Sequence, residues 1–203
     1  VVLVEKEANL GGFLNTLSKS LPNQAPWNIE NEISIANTIR EAVKHPDIRI
    51  ISSSTIASIN GQPGEFEVRI DNPEYEDLFH IGAIILASGW KPYDPSKLGH
   101  LGYGASQDII TSVELEKLMK NDALKCSSSD EPPKSVLFIQ CAGSRDEKHL
   151  PYCSNICCGT SLKQARMIRQ KYPDCQVFII YKDIRTPGML EEYYKEVQKD
   201  SRI

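Results

Sequence analysis

The segment from Cys141 to Cys158 constrains this chain more than any other, because it holds four of the six cysteines, at positions 141, 153, 157 and 158. It follows the apolar run 135–140, which predicts a buried strand, and it leads into 160–171, which has the periodicity of an amphipathic helix. Cysteine also occurs as a small buried hydrophobic residue. Four thiols at one corner between a strand and a helix nevertheless favour a bound metal or an iron–sulfur cluster.

The spacing of these cysteines favours a cluster over a single zinc ion. Structural zinc sites usually present two Cys-x-x-Cys pairs, whereas iron–sulfur clusters need four thiolates and tolerate varied spacing. Cys153 and Cys157 are expected to share a face of the first helical turn, with Cys158 beside them and Cys141 arriving from the strand end. The N-terminal end of a helix favours anions and would help to keep the thiols ionised.

Two charged residues, Arg145 and Asp146, lie between the cysteines. They are expected to form either an ion pair at the surface or a pair of charges that tunes the potential of a cluster. The remaining cysteines, Cys126 and Cys175, lie in a polar stretch and in a turn-like sequence, and we expect both to be free thiols.

The overall composition excludes two classes of function. A net charge of −4 gives no overall excess of basic residues for binding nucleic acid, and no apolar run reaches the roughly 18–20 residues that a transmembrane segment needs. The clustered thiols indicate a reducing compartment, which we expect to be the cytoplasm. Because the chain begins with Val and not Met, we expect it to be a piece of a longer protein.

Residues near the N-terminus indicate a nucleotide-binding fold. Val1–Glu5 is an apolar strand with an acidic end, and in dinucleotide-binding folds the second strand ends in an Asp or Glu that binds the adenosine ribose. The phosphate-binding glycines would lie about 20 residues upstream of Glu5, before the first residue of the chain. Gly11 and Gly12 permit a positive φ and close approach to a ligand, although two glycines also form plain turns.

The middle of the chain predicts a helix followed by a small antiparallel sheet. Apolar residues from Ile29 to Val43 recur at helical spacing, and short strands are predicted at 48–51, 55–59, 65–70 and 80–86. The last run leads into Ala87-Ser88-Gly89, whose small side chains would let a cofactor approach the carboxyl end of a buried strand. In isolation, the same three residues would be a turn.

The polar, proline-containing stretch 126–133 is the predicted boundary between two domains, 1–125 and 134–203. In the second domain, strands at 135–140 and 176–181 alternate with helices, an order that implies parallel strands. The expected fold class is α/β with a small antiparallel meander.

Taken together, the motifs closely resemble the A subunit of heterodisulfide reductase and the related quinone-interacting oxidoreductase subunits. The resemblance rests on the motifs Cys141-Ala-Gly-Ser-Arg-Asp, Pro151-Tyr-Cys-Ser with Cys157-Cys158, Ser161-Leu-Lys-Gln-Ala, Tyr181-Lys-Asp-Ile-Arg, Leu3-Val-Glu-Lys-Glu with Leu10-Gly-Gly, and Ile84-Ile-Leu-Ala-Ser-Gly-Trp. It implies a Rossmann-like, thioredoxin-reductase-like flavoprotein with a [4Fe-4S] cluster. Residues 1–125 would be an FAD-binding domain incomplete at its N-terminus, and 134–203 a second Rossmann-like half with the cluster.

The resemblance also assigns roles to residues. It implies that the cluster is bound by Cys141, Cys153, Cys157 and Cys158. It implies that FAD is bound by residues around the glycine motifs, namely Glu5, Lys6, Gly11, Gly12, Ser88 and Gly89. It further implies that Lys163 approaches the flavin as a catalytic residue, whereas its position on the predicted helix also allows an ordinary surface lysine.

The resemblance implies an oxidoreductase subunit that transfers electrons within a complex of several subunits. Between Phe66 and Ile84 the chain has no cysteine, so the ferredoxin-like insertion of many members is not expected, which favours a simpler electron conduit over electron bifurcation. Two alternatives stay open. A pyridine-nucleotide-dependent disulfide reductase would cycle the thiols directly, although the chain lacks Cys-x-x-Cys and the second half lacks G-x-G-x-x-G. A zinc-stabilised module would dock partners without catalysis.

Overall fold

The computed structural model describes residues 1–74 and 76–203. Its strands and helices are, in chain order, β1 (Val2–Val4), β2 (Lys19–Ser20), β3 (Asn31–Glu32), α1 (Ile35–Lys44), β4 (Arg49–Ile51), β5 (Thr55–Gln62), β6 (Glu65–Asp71), β7 (Glu76–Ile81), α2 (Ser112–Lys120), β8 (Ser135–Ile139), α3 (Cys157–Lys171), β9 (Gln176–Ile180) and α4 (Leu190–Val197). Short 3-10 helices lie at Gly12–Thr16 and Pro95–Leu101. The predicted α/β class and the antiparallel meander are confirmed.

The chain divides into two compact units. The first comprises Val1–Asn15 and Ser34–Trp90, and the second comprises Thr16–Ile33 and Lys91–Ile203. The predicted boundary at 126–133 therefore falls inside the second unit. The reason is packing: Leu115 and Leu124 share one hydrophobic core with Phe138 and Ala165, so the residues on both sides of the predicted boundary fold together.

The first unit combines a parallel strand pair with the meander. β1 pairs with β4, with Val4 opposite Ile51, and α1 lies between them in the chain, as the crossover of a parallel pair requires. β5, β6 and β7 form an antiparallel sheet in which Val68 lies opposite Phe79. Ile51, Val68 and Ile70 are buried together, so the two sheets share a core.

The predicted strand at 80–86 is wrong in its second half. β7 ends at Ile81, and residues 83–90 adopt no regular secondary structure. Ile85 is 90% exposed and Leu86 is 86% exposed. A strand needs backbone hydrogen bonds to a neighbouring strand. In the first unit, as described over 1–74 and 76–203, β1 pairs with β4 and β6 pairs with β5 and β7, and residues 83–90 belong to neither sheet.

The second unit contains a β–α–β arrangement that carries the cysteines. β8 and β9 pair in parallel, with Phe138 opposite Ile179, and α3 connects them in the chain. α2 begins with a capping box, in which Glu114 N donates to Thr111 Oγ1 at 3.2 Å and Thr111 N donates to Glu114 Oε2 at 2.6 Å. Over the described ranges, every helix is too short or too polar to cross a membrane.

Candidate functional site

The loop between β8 and α3 is folded tightly against itself. Its backbone has positive φ angles at Cys141 (58°), Gly143 (78°) and Arg145 (55°), which are uncommon for residues other than glycine. Arg145 N donates to Tyr152 O at 3.1 Å, and Leu150 N donates to Gly143 O at 3.2 Å. Backbone of this kind persists where the surrounding structure holds it, and it is frequent at functional sites.

The four cysteines of the motif line one small pocket at this corner. Cys158 is buried and Cys157 is exposed, whereas Cys141 and Cys153 are half-buried. Among residues 1–74 and 76–203, no three Cys, His, Asp or Glu side chains lie close enough together to bind a single metal ion. In a four-iron cluster each cysteine binds a different iron atom, so wider spacing of the thiols is compatible with such a cluster.

The expected position of Cys153 in the helix is wrong. α3 begins at Cys157, so Cys153 lies in the preceding loop and does not share the first helical turn. Asn155 has a φ of 58°, and this left-handed residue interrupts a helical path between the two cysteines. Cys153 therefore reaches the pocket from the loop.

Polar groups contact the sulfur atoms of all four cysteines. The contacts are Arg145 Nη1 to Cys141 Sγ at 3.9 Å, Asn155 N to Cys153 Sγ at 3.4 Å, Ser154 Oγ to Cys157 Sγ at 3.1 Å, and Cys158 Sγ to Asp183 O at 3.9 Å. Hydrogen bonds donated to the sulfur atoms are among the features that set the reduction potential of an iron–sulfur cluster. Arg145 Nη1 and Asn155 N are donors of this kind, whereas Cys158 Sγ is itself the donor to Asp183 O.

The surroundings of Cys158 affect how readily its thiol ionises. Burial raises the pKa of the Cys158 thiol; a hydrogen bond with the Arg185 backbone lowers it, and the nearby thiols of Cys157, Cys141 and Cys153 raise it further. A buried thiol in such surroundings ionises when a metal binds it, because a bound cation deprotonates a coordinating thiol. The chemistry of this donor set fits a metal cluster.

Arg145 does not pair with Asp146, so the expected ion pair between these two residues is wrong, whereas the expectation that charge here tunes a cluster stays a prediction. The Arg145 guanidinium binds the carboxylate of Asp183 and lowers the pKa of that carboxyl, whereas Asp146 Oδ1 accepts a hydrogen bond from Lys148 N at 2.9 Å. Asp183 also lies 3.4 Å from Arg185 Nε. Sequence reasoning assigned no role to Asp183 and Arg185, although both belong to a motif that carries the family resemblance.

The residues predicted to bind FAD belong to the first unit. Glu5 directly follows β1, and its Oε1 accepts a hydrogen bond from Glu7 N at 3.0 Å. Lys6 is exposed and lies 3.6 Å from the Glu7 carboxylate. Gly11 has a φ of 108°, and a Cβ there would lie 2.6 Å from the Asn15 side chain, so this turn requires glycine.

An aromatic contact brings the two glycine motifs together. Phe13 follows Gly12 and Trp90 follows Gly89, and the two ring centroids lie 4.8 Å apart in an edge-to-face arrangement. Gly12 and Gly89 have φ angles of 46° and 69°, and nothing lies within 4 Å of the position of a Cβ at either residue. Their backbone, with the exposed Ser88 beside it, is open to a ligand.

Lys163 is buried, and the surface-lysine alternative is wrong. Its Nζ lies 2.8 Å from Glu116 Oε1 and donates to Lys19 O at 2.8 Å, and its side chain is 4% exposed. Gln164 Nε2 donates to the same Glu116 oxygen at 2.8 Å. These contacts tie α3 to α2 and β2. Because protein groups engage the ammonium, its approach to a flavin stays a prediction.

Comparisons with known proteins agree with the motifs. No family model matches the chain. The chain is 29% identical to one of the iron–sulfur A subunits of CoB–CoM heterodisulfide reductase from Methanopyrus kandleri, over 100% of this chain and 43% of that protein. It is 29% identical to the A subunit of the ferredoxin/F420H2-dependent CoB–CoM heterodisulfide reductase of Methanosarcina acetivorans, over 98% of this chain and 35% of that protein. It is 41% identical to the A subunit of the H2:CoB-CoM heterodisulfide,ferredoxin reductase of Methanothermobacter thermautotrophicus, over 65% of this chain and 21% of that protein.

The extent of these matches is informative. The chain spans less than half the length of the curated relatives it matches. The alignment with the Methanopyrus protein is 289 residues long although the chain has 203, so that relative carries additional residues inside the matched span. A solved L-proline dehydrogenase from P. horikoshii matches with a TM-score of 0.41 and 12% identity, over 93% of this chain and 32% of that one. That likeness is too low to identify a fold.

By its sequence, the whole chain is similar to the A subunits of the heterodisulfide reductases, and the resemblance stated from its cysteine motif is confirmed.

Proposed function

We propose that this chain is part of an electron-transfer subunit that passes electrons between FAD and a [4Fe-4S] cluster in a complex like heterodisulfide reductase. The observation that carries the proposal is the pocket lined by all four cysteines of the motif. The relatives are named as heterodisulfide reductase subunits, one of them as an iron–sulfur subunit, and these names support the same chemistry.

In this proposal the cluster is held by Cys141, Cys153, Cys157 and Cys158. The loop fixes the first two, and the first turn of α3 carries the other two. When bound, a four-iron cluster exchanges single electrons and a flavin exchanges electron pairs. The chain's own residues would orient the thiolates, exclude water from Cys158 and surround the pocket with fixed charges.

FAD would be bound by Glu5, Lys6, Gly11, Gly12, Ser88 and Gly89. Gly12 and Gly89 support this assignment, because their positive φ angles and open surroundings leave the backbone accessible. The contact of Phe13 with Trp90 supports it as well, because the contact joins the two glycine motifs. The carboxylate of Glu5 at the end of β1 would bind the ribose.

The partners would be the other subunits of the complex, and the location would be the cytoplasm. The relatives are named as subunits of larger enzymes, which supports an assembly.

The test is a visible spectrum with iron and zinc analysis of the full-length protein, purified without oxygen. Broad iron–sulfur absorption, about four irons per chain for this site and bound flavin are expected. Stoichiometric zinc in a colourless protein would contradict the proposal and favour the zinc-stabilised module. A protein with reactive thiols and no metal would favour the disulfide reductase.

A matched pair of variants links the iron to the pocket. Cys157→Ser removes an exposed thiol of the motif, so we expect loss of the cluster without loss of the fold. Cys126→Ser changes a thiol outside the pocket and should keep the iron content of the wild type. Equal iron in both variants would show that the cluster is bound elsewhere.

A further inference from the structure

The cysteine pocket is lined by cationic side chains. Arg145 and Arg185 both line it, and the carboxylate of Asp183 contacts both guanidinium groups. We propose that these two arginines, positioned by Asp183, raise the reduction potential of the bound cluster. The inference rests on the proposed function, and it gives Asp183 a role as a positioning residue.

Arg145 reaches the first cysteine directly. Its Nη1 lies 3.9 Å from Cys141 Sγ, and the same nitrogen binds the Asp183 carboxylate. The side chain is 23% exposed. Lys182 Nζ donates to the backbone oxygen of Arg145 at 3.0 Å. The segment that follows β9 therefore holds Arg145 by both its backbone and its side chain.

Arg185 lies near Cys158, at another part of the pocket lining. Arg185 and Cys158 line the same pocket, and Asp183 O lies 3.9 Å from Cys158 Sγ. The guanidinium Nε lies 3.4 Å from Asp183 Oδ2, and the side chain is 41% exposed. The segment from Lys182 to Arg185 thus contacts both Arg145 and Cys158.

The direction of the effect follows from charge. One-electron reduction adds one negative charge to a cluster held by four thiolates, and a nearby cation stabilises the more negative state more strongly. Two guanidinium groups against one carboxylate leave a net positive charge beside the pocket. Because water screens exposed charges, Arg145 should contribute more than the more exposed Arg185.

The experiment is a redox titration of the full-length, cluster-containing protein with dithionite, followed by electron paramagnetic resonance at low temperature. Arg145→Gln and Arg185→Gln should each lower the potential. At a fixed ambient potential, the ratio of reduced to oxidised cluster should fall by up to about tenfold, which is about 59 mV for one electron. Arg185→Lys keeps the charge and should stay close to the wild type.

Arg202→Gln is the matched control. Arg202 lies at the opposite end of β9, where its backbone oxygen accepts from Val177 N, roughly 10 Å from the pocket end of that strand. Its substitution should leave the potential unchanged. Unchanged potentials in both pocket variants, with normal iron and a normal signal, would overturn the inference and leave the proposed function standing. Absence of any iron–sulfur signal in the wild type would overturn both. If Arg145→Gln loses its iron, the test rests on Arg185. A lower potential in Arg185→Gln than in Arg185→Lys would support the inference, and equal potentials would overturn it.

Discussion

The cysteine pocket and the glycine motifs are built in different ways. The pocket lies within one β–α–β arrangement, its loop is closed by backbone hydrogen bonds, and Cys158 is buried. The glycine motifs Gly11-Gly12 and Ser88-Gly89 lie on segments without strand pairing, next to the contact between Phe13 and Trp90. The protein's own backbone hydrogen bonds therefore hold the cysteine loop in place, whereas the glycine segments expose backbone that a flavin could contact.

This difference has an energetic consequence. A preorganised donor set binds its ligand without an ordering cost, and substitutions in exposed segments seldom change stability much. We therefore expect the cysteine region to respond to substitutions through stability and iron content. We expect the glycine motifs to respond through flavin affinity with little change in stability.

The largest effect on stability is expected at the buried ion pair between Lys163 of α3 and Glu116 of α2. Lys163→Met leaves the carboxylate of Glu116 buried without its ion-pair partner and should lower the free energy of unfolding by about 3–5 kcal/mol. Urea unfolding followed by circular dichroism measures the change. The double variant with Glu116→Leu should recover most of the loss, because an apolar pair avoids the buried charge. A loss below about 1 kcal/mol for Lys163→Met would contradict the assigned burial of this pair.

The second effect concerns Gly143 in the cysteine loop. A Cβ at this residue would lie 2.5 Å from the ring of Tyr93, and φ is 78°, so Gly143→Ala should destabilise the protein by about 2–4 kcal/mol. Gly188→Ala is the control, because φ there is 62° but nothing lies within 4 Å; backbone strain alone should cost about 1 kcal/mol. Equal losses of stability in the two variants would mean that Tyr93 does not restrain the loop.

A smaller effect is expected at the aromatic contact of the first unit. Trp90→Ala removes the edge-to-face contact with Phe13 and should cost about 1 kcal/mol of stability. Flavin affinity should fall, because the two glycine motifs lose a contact that joins them, while the iron content should not change. Trp90→Phe keeps an aromatic ring and should restore most of the affinity in a fluorescence titration with FAD. A loss of iron in Trp90→Ala would show that the cysteine pocket and the glycine motifs do not respond independently to substitution.

The smallest effect on stability is expected for Ser88→Ala. The side chain is exposed, so the free energy of unfolding should change by less than about 0.5 kcal/mol. If Ser88 contacts bound FAD, flavin affinity should still fall, and calorimetric titration measures it. Unchanged flavin affinity would remove Ser88 from the proposed site.

Local sequence signals predicted much of this fold. The apolar runs predicted β8 and β9 almost to the residue. These signals need neighbours a few positions away in the chain, so they can be read from sequence alone. The gathering of the four cysteines at one corner followed from the order of β8, the loop and α3.

Features that depend on distant residues were not predictable. Glu116 of α2 forms an ion pair with Lys163 of α3, and Asp183, which follows β9, forms an ion pair with Arg145. Neither pairing has a signature in the local sequence. The left-handed conformation of Asn155 shifted the start of α3 to Cys157, and a strand at 84–86 would have needed a neighbouring strand that sequence periodicity does not supply.

The most direct test of the central claim is native mass spectrometry of the full-length protein under anaerobic conditions, with Cys157→Ser and Cys126→Ser measured beside the wild type. Four cysteines that hold one cluster predict a mass loss in Cys157→Ser equal to four iron and four sulfide atoms, together with the small change of the substitution. Cys126→Ser should show the substitution alone. The same cluster mass in the wild type and Cys157→Ser, or a zinc ion in its place, would contradict the claim that these four cysteines hold a [4Fe-4S] cluster.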